Sequence, residues 1–232
     1  MTRLVTVAHG TRDEPGNEVA AAVTALAGAR LGLPAVASYV ELAEPLFSDI
    51  MAPGTPSVVV PLLLSAGHHI RRDIGTGRAL GPHPLLAVAQ GTRLVEAGAR
   101  PGQSVVMVAA GSRDPLAIAD LTLAARFLSQ IWGAPARIAT LAGIGPRPTE
   151  MVRAGDAVSP YLLATGQFAA RASADSLAAG ADVVSDVIGP HPAVVDLVVS
   201  RARAQLDTTG GRPTASGHAA ITQHTCGPKS YV

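Results

Sequence analysis

The sequence predicts an α/β fold with parallel sheets, arranged as two copies of one structural plan. Short, β-branched apolar runs bounded by Gly or Pro alternate with alanine-rich helical stretches along most of the 232 residues. This alternation is typical of parallel strands joined by crossover helices. The strand runs are apolar at nearly every position, as expected for strands that helices cover on both faces. The second half of the chain also repeats motifs of the first half in the same order.

The elements of the first half follow from this pattern. The predicted strands are the short apolar runs, and the predicted helices are the stretches that follow them. The predicted strands are Leu4–Ala8, Val36–Leu42 and Val58–Leu64, and the predicted helices are Glu14–Leu31, Leu46–Met51 and Leu85–Glu96.

The second half has one more predicted strand than the first. Its predicted strands are Val105–Ala109, Arg137–Leu141, Tyr161–Ala164 and Asp182–Val187, and its predicted helices are Leu116–Trp132, Thr149–Arg153, Ala169–Ala179 and Ala193–Gln205. Between the motif after the third strand and the Gly-Pro-His-Pro turn, the first half is 9 residues shorter than the second. A fourth strand of the first half is therefore expected to be short or missing.

Four motif pairs establish the internal repeat. AHGTRDEP matches AAGSRDP, ELAEP matches AGIGP, LLLSAGHH matches YLLATGQF, and LGPHP matches IGPHP, all in the same order. Matches of this kind predict two similar domains. We place the first at residues 1–100 and the second at residues 101–207. Residues 208–232 are polar and rich in Gly, Thr and Ser, which predicts a flexible tail.

Composition excludes several classes of protein. The chain is 48% hydrophobic and 15% charged with a formal net charge of +1, so we expect a folded core and neither nucleic-acid nor membrane partners. Lys229 is the single lysine, which excludes a Walker-type phosphate loop. Cys226 is the single cysteine, and the N-terminus lacks the pattern of a signal peptide. These features predict a cytoplasmic protein.

Three side chains of the first half are the candidate site. His9 follows the first predicted strand, Glu41 lies near the end of the second, and His69 lies in the loop after the third. Ligands of open parallel sheets bind beyond the carboxyl ends of the strands, so these side chains are expected to face one crevice. Two imidazoles and a carboxylate suit a divalent ion such as Fe²⁺, Co²⁺, Ni²⁺ or Zn²⁺, with coordination positions left open for chemistry.

Two positions of this set have alternatives. Glu44 is close enough to Glu41 to be the acid instead, and only one of the adjacent residues His68 and His69 is expected to face the crevice. His83 and His191 occupy equivalent Pro-His-Pro turns in the two halves. That duplication favours a structural turn, so we leave both out of the site.

The repeat itself strengthens the candidate set. Where the first half has His9, Glu41 and His69, the second has Ala110, Ala142 and Phe168, while the glycines and the Ser/Thr-Arg-Asp turn remain. Simultaneous loss of all three is the pattern expected if they serve one shared site. The second half is therefore expected to keep the architecture without the metal chemistry.

These motifs resemble a known family. The strand with its His-Gly-Ser/Thr-Arg turn, the ELAEP stretch and the Gly-x-His-x-x-x-Asp-Ile motif at residues 67–74 are similar to those of the sirohydrochlorin chelatases, the CbiX family of class II chelatases. The likeness continues in degenerate form to about residue 206. It implies two chelatase-like, flavodoxin-like domains, each with three layers.

The resemblance implies a lyase of sirohaem or cobalamin biosynthesis. Such enzymes insert Fe²⁺ or Co²⁺ into the tetrapyrrole sirohydrochlorin without ATP, so the metal is a substrate and no tightly bound cofactor is expected. His9, Glu41 and His69 would be both the metal-binding and the catalytic residues. Which histidine is ligand and which is base stays open, as does the choice between iron and cobalt.

Substrate contacts are expected beside that set. Sirohydrochlorin carries many carboxylates, so the guanidinium groups of Arg12, Arg71 and Arg72 are the first candidates to hold it, next to Gly10 and Gly67. The second domain would form the opposite wall of the cleft, and a monomer with pseudo-dimeric domains is expected.

Two other functions fit part of this pattern. A metal or tetrapyrrole carrier could use the same crevice without turnover, and the shortened first half favours it. A histidine phosphatase usually has Arg directly before the histidine, and Ala8 stands there instead. We set that function aside.

Overall fold

The computed structural model describes residues 1–51, 55–65, 74 and 78–210. Strands and helices alternate through both halves, as predicted. In chain order the elements are β1 (Arg3–Ala8), α1 (Glu14–Leu31), β2 (Ala35–Tyr39), α2 (Phe47–Ile50), β3 (Ser57–Pro61), α3 (Pro84–Glu96), β4 (Val105–Ala109), α4 (Pro115–Trp132), β5 (Ala136–Thr140), α5 (Pro148–Met151), β6 (Ala157–Tyr161), α6 (Gln167–Ala178), β7 (Val183–Val184) and α7 (Pro192–Gly210).

Two parallel sheets confirm the predicted fold class and the internal duplication. The first has the strand order β2-β1-β3 and the second the order β5-β4-β6-β7. Val5 of β1 pairs with Val36 and Val59 on its two sides, and β4 is flanked by β5 and β6 in the same way. Because every described pairing is parallel, the carboxyl ends of the strands in a sheet lie at one edge.

The prediction of a strand at Tyr161–Ala164 is wrong. The strand is Ala157–Tyr161, and it contains Pro160, which the sequence pattern treats as a strand breaker. The N–H group that proline lacks would face β7, but β7 pairs only with Ala157 and Val158. The last bond of this ladder runs from the N–H of Ser185 to the carbonyl of Val158, and Pro160, which has no N–H to continue it, ends the pairing on this side of the strand.

Each half covers the other half's sheet with its last helix. Helix α3 contacts β6 and α4, whereas α7 contacts β3 and α1, and the two helices contact each other. One hydrophobic core accordingly includes residues of both halves, among them Leu4, Leu94, Met107 and Leu197. The division into two domains near residue 100 stays a prediction, because each sheet packs against a helix from the other half.

The two Pro-His-Pro histidines are structural, as predicted. The Nδ1 atom of His83 accepts a hydrogen bond of 3.2 Å from the backbone N–H of Leu85 at the start of α3. His191 caps α7 in the same way, through a bond of 3.1 Å from Ala193. Both imidazoles thus satisfy a backbone donor that the first turn of a helix leaves unpaired.

Two sequence predictions fall wholly or partly outside the described residues. The expected short or missing fourth strand of the first half concerns residues 66–73 and 75–77, which are not described. The flexible tail is predicted from Thr208; α7 continues to Gly210, and because residues 211–232 are not described, the tail stays a prediction. Across the described residues, no helix is long and apolar enough to cross a membrane.

Candidate functional site

His9 and Glu41 meet at the carboxyl edge of the first sheet. β1 ends at Ala8 and β2 at Tyr39, and the two strands stay paired past their ends through the N–H of Glu41, which donates to the carbonyl of His9 at 3.1 Å. The side chains follow this pairing, with His9 Nε2 3.5 Å from Glu41 Oε1. The structure therefore brings together two of the three predicted residues; His69 lies outside the described residues.

The close approach of these two segments requires glycine at position 10. Gly10 has φ of +92°, and a Cβ atom there would lie 1.8 Å from the carbonyl oxygen of Glu41. Gly111 of the second half has the same conformation, with its virtual Cβ 1.9 Å from the carbonyl oxygen of Ala142. The glycine thus belongs to the architecture shared by both halves.

Side chains of the following turn hold this backbone in place. The hydroxyl of Thr11 accepts a 3.1 Å bond from the N–H of Asp13, and Asn17 bonds to both the N–H and the carbonyl of Thr11. Ser112 accepts the equivalent 3.0 Å bond from Asp114 in the second half. This local bonding explains why the Ser/Thr-Arg-Asp turn occurs in a half that lacks the histidine.

The His9–Glu41 pair is open to solvent. The side chains are 48% and 54% exposed, so their mutual attraction contributes little to stability. The imidazole nitrogen and carboxylate oxygens are ligands of borderline divalent ions. No group of three or more His, Cys, Asp or Glu residues in the described part of the chain could hold a metal ion, and the predicted third ligand, His69, is outside that part.

A cleft of about 550 Å³ opens beside this pair, and both halves line it. Its wall is mostly apolar and includes Leu42, Leu62, Leu63 and Leu64 of the first half, and Tyr161, Leu162, Leu163 and Phe168 of the second. Polar groups are contributed by His9, Thr11, Asn17, Ser65, Thr165 and Gln167. A concave apolar surface with a few polar groups is typical of a small-molecule site.

Two contacts join the halves at the cleft. The hydroxyl of Tyr161 donates a 3.0 Å hydrogen bond to the carbonyl of Leu64. Burial raises the pKa of Tyr161, and the charge of Asp120 raises it further, so the phenol keeps its proton and stays a donor. The hydroxyl of Thr165 lies 3.4 Å from a carboxylate oxygen of Asp13.

Leu42 was not among the predicted site residues. This residue lines the cleft with 50% of its surface exposed, and its φ of +65° lies in the left-handed region. The equivalent residue in the second half is Gly143, with φ of +69°. The alignment of ELAEP with AGIGP contains this signal, since a glycine opposite a leucine indicates a backbone conformation that suits glycine.

The predicted substrate-binding residues have different outcomes. Gly10 lines the cleft, whereas Arg12 is exposed in the turn after β1 and is not among the lining residues of the described part. Gly67, Arg71 and Arg72 lie outside the described residues. None of the described lining residues is Arg or Lys. Glu44 is exposed, and the carboxylate that approaches His9 is that of Glu41.

Comparisons with known proteins agree on the fold. Residues 3–97 match the family model described as CbiX, and no curated protein matches the sequence. SirB from Bacillus subtilis with Fe³⁺ superposes with a TM-score of 0.75 at 24% identity, covering 91% of this chain and 98% of that one. The sirohydrochlorin chelatase SirB from Bacillus subtilis subspecies spizizenii in complex with cobalt gives 0.72 at 24% identity, with 91% and 97% covered.

A third structure shares the fold within a longer chain. DR2241 from Deinococcus radiodurans is a multi-domain protein with structural similarity to chelatases and two additional domains. It superposes with a TM-score of 0.66 at 22% identity, covering 87% of this chain and 55% of that one. At these identities the likenesses establish the fold, and function has to be argued from the site.

Proposed function

We propose that the protein is a chelatase of the CbiX family, whose model residues 3–97 match, and that it inserts Fe²⁺ or Co²⁺ into sirohydrochlorin. The observation that carries the proposal is the approach of His9 to Glu41 at 3.5 Å on the rim of a mostly apolar cleft. The SirB structures, which hold iron and cobalt, support the same class of substrate.

The reaction needs an ion ligand and a proton acceptor in one place. A divalent ion enters the free-base macrocycle as two pyrrole protons leave, so the products are the metallated tetrapyrrole and two protons. A neutral imidazole can bind the ion or accept a proton, and so can a carboxylate. His9 and Glu41 can divide these tasks, and because both are about half exposed, protons can pass from them to solvent.

The cleft suits the other substrate. Its leucines and aromatic residues would contact the faces of a flat macrocycle, and its open side would leave the carboxylates at the rim in water. We place the chemistry in the first half, residues 1–100, and assign the second half, residues 101–207, the role of the facing wall. Tyr161 and Thr165 support this division, because each bonds from the second half to the first at the cleft.

No nucleotide is required in this proposal. Lys229 is the single lysine, and Pro228 rather than a glycine precedes it, so the chain lacks the Gly-Lys-Ser/Thr sequence of a Walker-type phosphate loop. The ion supplies the driving force by binding to four macrocycle nitrogens. We therefore expect metal insertion in the absence of ATP.

The test is the rate of metal insertion into purified sirohydrochlorin, followed by its change in absorbance under anaerobic conditions. The protein should accelerate insertion of Fe²⁺, Co²⁺ or both above the rate without protein, with no ATP present. Tight binding of the tetrapyrrole with no acceleration would contradict the proposal and indicate a carrier.

A matched pair of variants identifies the acid. Glu41→Gln should slow insertion by about 10²-fold or more, as expected for loss of a proton-transfer group, whereas Glu44→Gln should keep the wild-type rate. Both residues are exposed carboxylates of one turn, so the pair controls for the loss of charge. Equal losses would remove Glu41 from its proposed role.

A further inference from the structure

Leu42 has a backbone conformation that leucine disfavours. Within the described part of the chain it is the single non-glycine residue with positive φ, at +65°. In this region the Cβ atom of an L-residue crowds the backbone, and a bulky side chain there is unusual. The second half forms the equivalent turn with Gly143 at +69°, so the fold can make this turn without a side chain.

Packing in the hydrophobic core does not account for the choice of leucine at position 42. It remains 50% exposed, so its burial offsets only part of the cost of the conformation. At the equivalent position in the second half, a Cβ on Gly143 would lie 2.4 Å from the carbonyl oxygen of Ser112. The first half leaves room for a side chain at this point, and that side chain lines the cleft.

Leu42 directly follows Glu41 and lines the cleft with His9. A second exposed apolar side chain, Phe168 of α6, lines the same cleft from the other half and is 46% exposed. Phenylalanine side chains are most often buried, so a phenylalanine left in solvent at a cleft is unusual. Exposed large apolar groups that line one cleft indicate a bound apolar surface.

We propose that Leu42 and Phe168 contact the apolar face of the tetrapyrrole and hold it beside the His9–Glu41 pair. The proposal rests on the proposed function for the identity of the ligand. It assigns to the second half a direct contact with substrate, in addition to its contacts with the first half. Burial of the Leu42 side chain by the ligand then offsets the free-energy cost of its positive φ.

The test separates ligand binding from folding. In a titration of metal-free sirohydrochlorin followed by absorbance, Leu42→Gly should weaken binding about tenfold, the loss expected for one leucine contact. Its thermal midpoint should stay the same or rise, because glycine adopts positive φ without strain. A purely structural leucine would give the reverse result, a lower midpoint with unchanged affinity.

Phe168→Ala should weaken binding by a similar factor, and the double variant should approach the product of the two factors if the contacts are independent. Leu177→Ala is the matched control, since Leu177 is 54% exposed on the same helix and is not a lining residue of the cleft. It should bind sirohydrochlorin as the wild type does.

The outcomes distinguish this inference from the proposed function. If the wild type binds sirohydrochlorin without inserting metal and Leu42→Gly binds more weakly, the inference holds and the chelatase proposal fails. If the wild type inserts metal and Leu42→Gly binds as tightly as the wild type, the inference is overturned and the chelatase proposal stands. A wild type that does not bind the tetrapyrrole overturns both.

Discussion

The helix caps formed by His83 and His191 predict that the protein loses stability at mildly acidic pH. Each Nδ1 accepts a backbone hydrogen bond, which a protonated imidazole cannot do. Burial lowers the pKa of His83, and the charges of Arg201 and Arg78 lower it further. Burial and the charge of Arg93 lower the pKa of His191, with Glu96 acting in the opposite direction.

The sign follows from these directions. Each folded-state pKa lies below the ordinary value of 6.5, so the folded protein binds fewer protons than the unfolded chain around that pH. The stabilisation is complete above pH 6.5 and is lost as the pH falls through the lowered pKa values. Loss of one cap costs about 1 kcal/mol. Two caps give about 2 kcal/mol, or about 4–8 °C in the unfolding midpoint for a chain of this size.

The assay compares thermal midpoints at pH 8 and pH 5 for the wild type and for the double variant His83→Asn/His191→Asn. Asparagine caps helices well and does not titrate, so the double variant should keep the midpoint at pH 8. It should also lose about 4–8 °C less than the wild type between the two pH values. Equal losses in both proteins would show that protonation of these two caps does not cause the loss of stability. Each single variant should recover about half of the difference if the two caps are independent.

Two further predictions concern the backbone around the cleft. Gly10→Ala should lower the unfolding midpoint and abolish metal insertion, because its Cβ would lie 1.8 Å from the carbonyl oxygen of Glu41. Gly111→Ala should lower the midpoint similarly, because its Cβ would lie 1.9 Å from the carbonyl oxygen of Ala142. An unchanged midpoint in either variant would show that the backbone tolerates a side chain at that position. Tyr161→Phe removes the hydroxyl that donates the 3.0 Å hydrogen bond to the carbonyl of Leu64. It should lower the free energy of unfolding, measured with denaturant, by about 1–3 kcal/mol. An unchanged free energy of unfolding would show that this bond does not stabilise the junction of the halves.

The proximity of His9 and Glu41 could be predicted, because it depends on the topology of the sheet. Short apolar runs identify parallel strands, and parallel strands end at one edge of a sheet. That is sufficient to predict that His9 and Glu41 lie close together, as they do at 3.5 Å. The repeat also indicated that His83 is not a site residue, because its equivalent, His191, occurs in the half that lacks the candidate residues.

Other features could not be predicted because they depend on packing in three dimensions. The repeat shows that α3 and α7 are equivalent elements but does not say which sheet each one covers, and each covers the sheet of the other half. The strand that contains Pro160 was predicted too late in the sequence, because a proline near a strand end stops the pairing with one neighbour while the pairing with the other continues. The positive φ of Leu42 is indicated in the sequence only by the glycine at the equivalent position, Gly143.

We propose that the first half alone carries the metal chemistry, and the rate of metal insertion by a His9→Ala variant measures this. His9 is about half exposed, so its removal should leave the unfolding midpoint unchanged. The initial rate of Co²⁺ or Fe²⁺ insertion into sirohydrochlorin should fall by about 10²-fold or more. A His9→Ala protein that inserts metal at the wild-type rate would contradict the account.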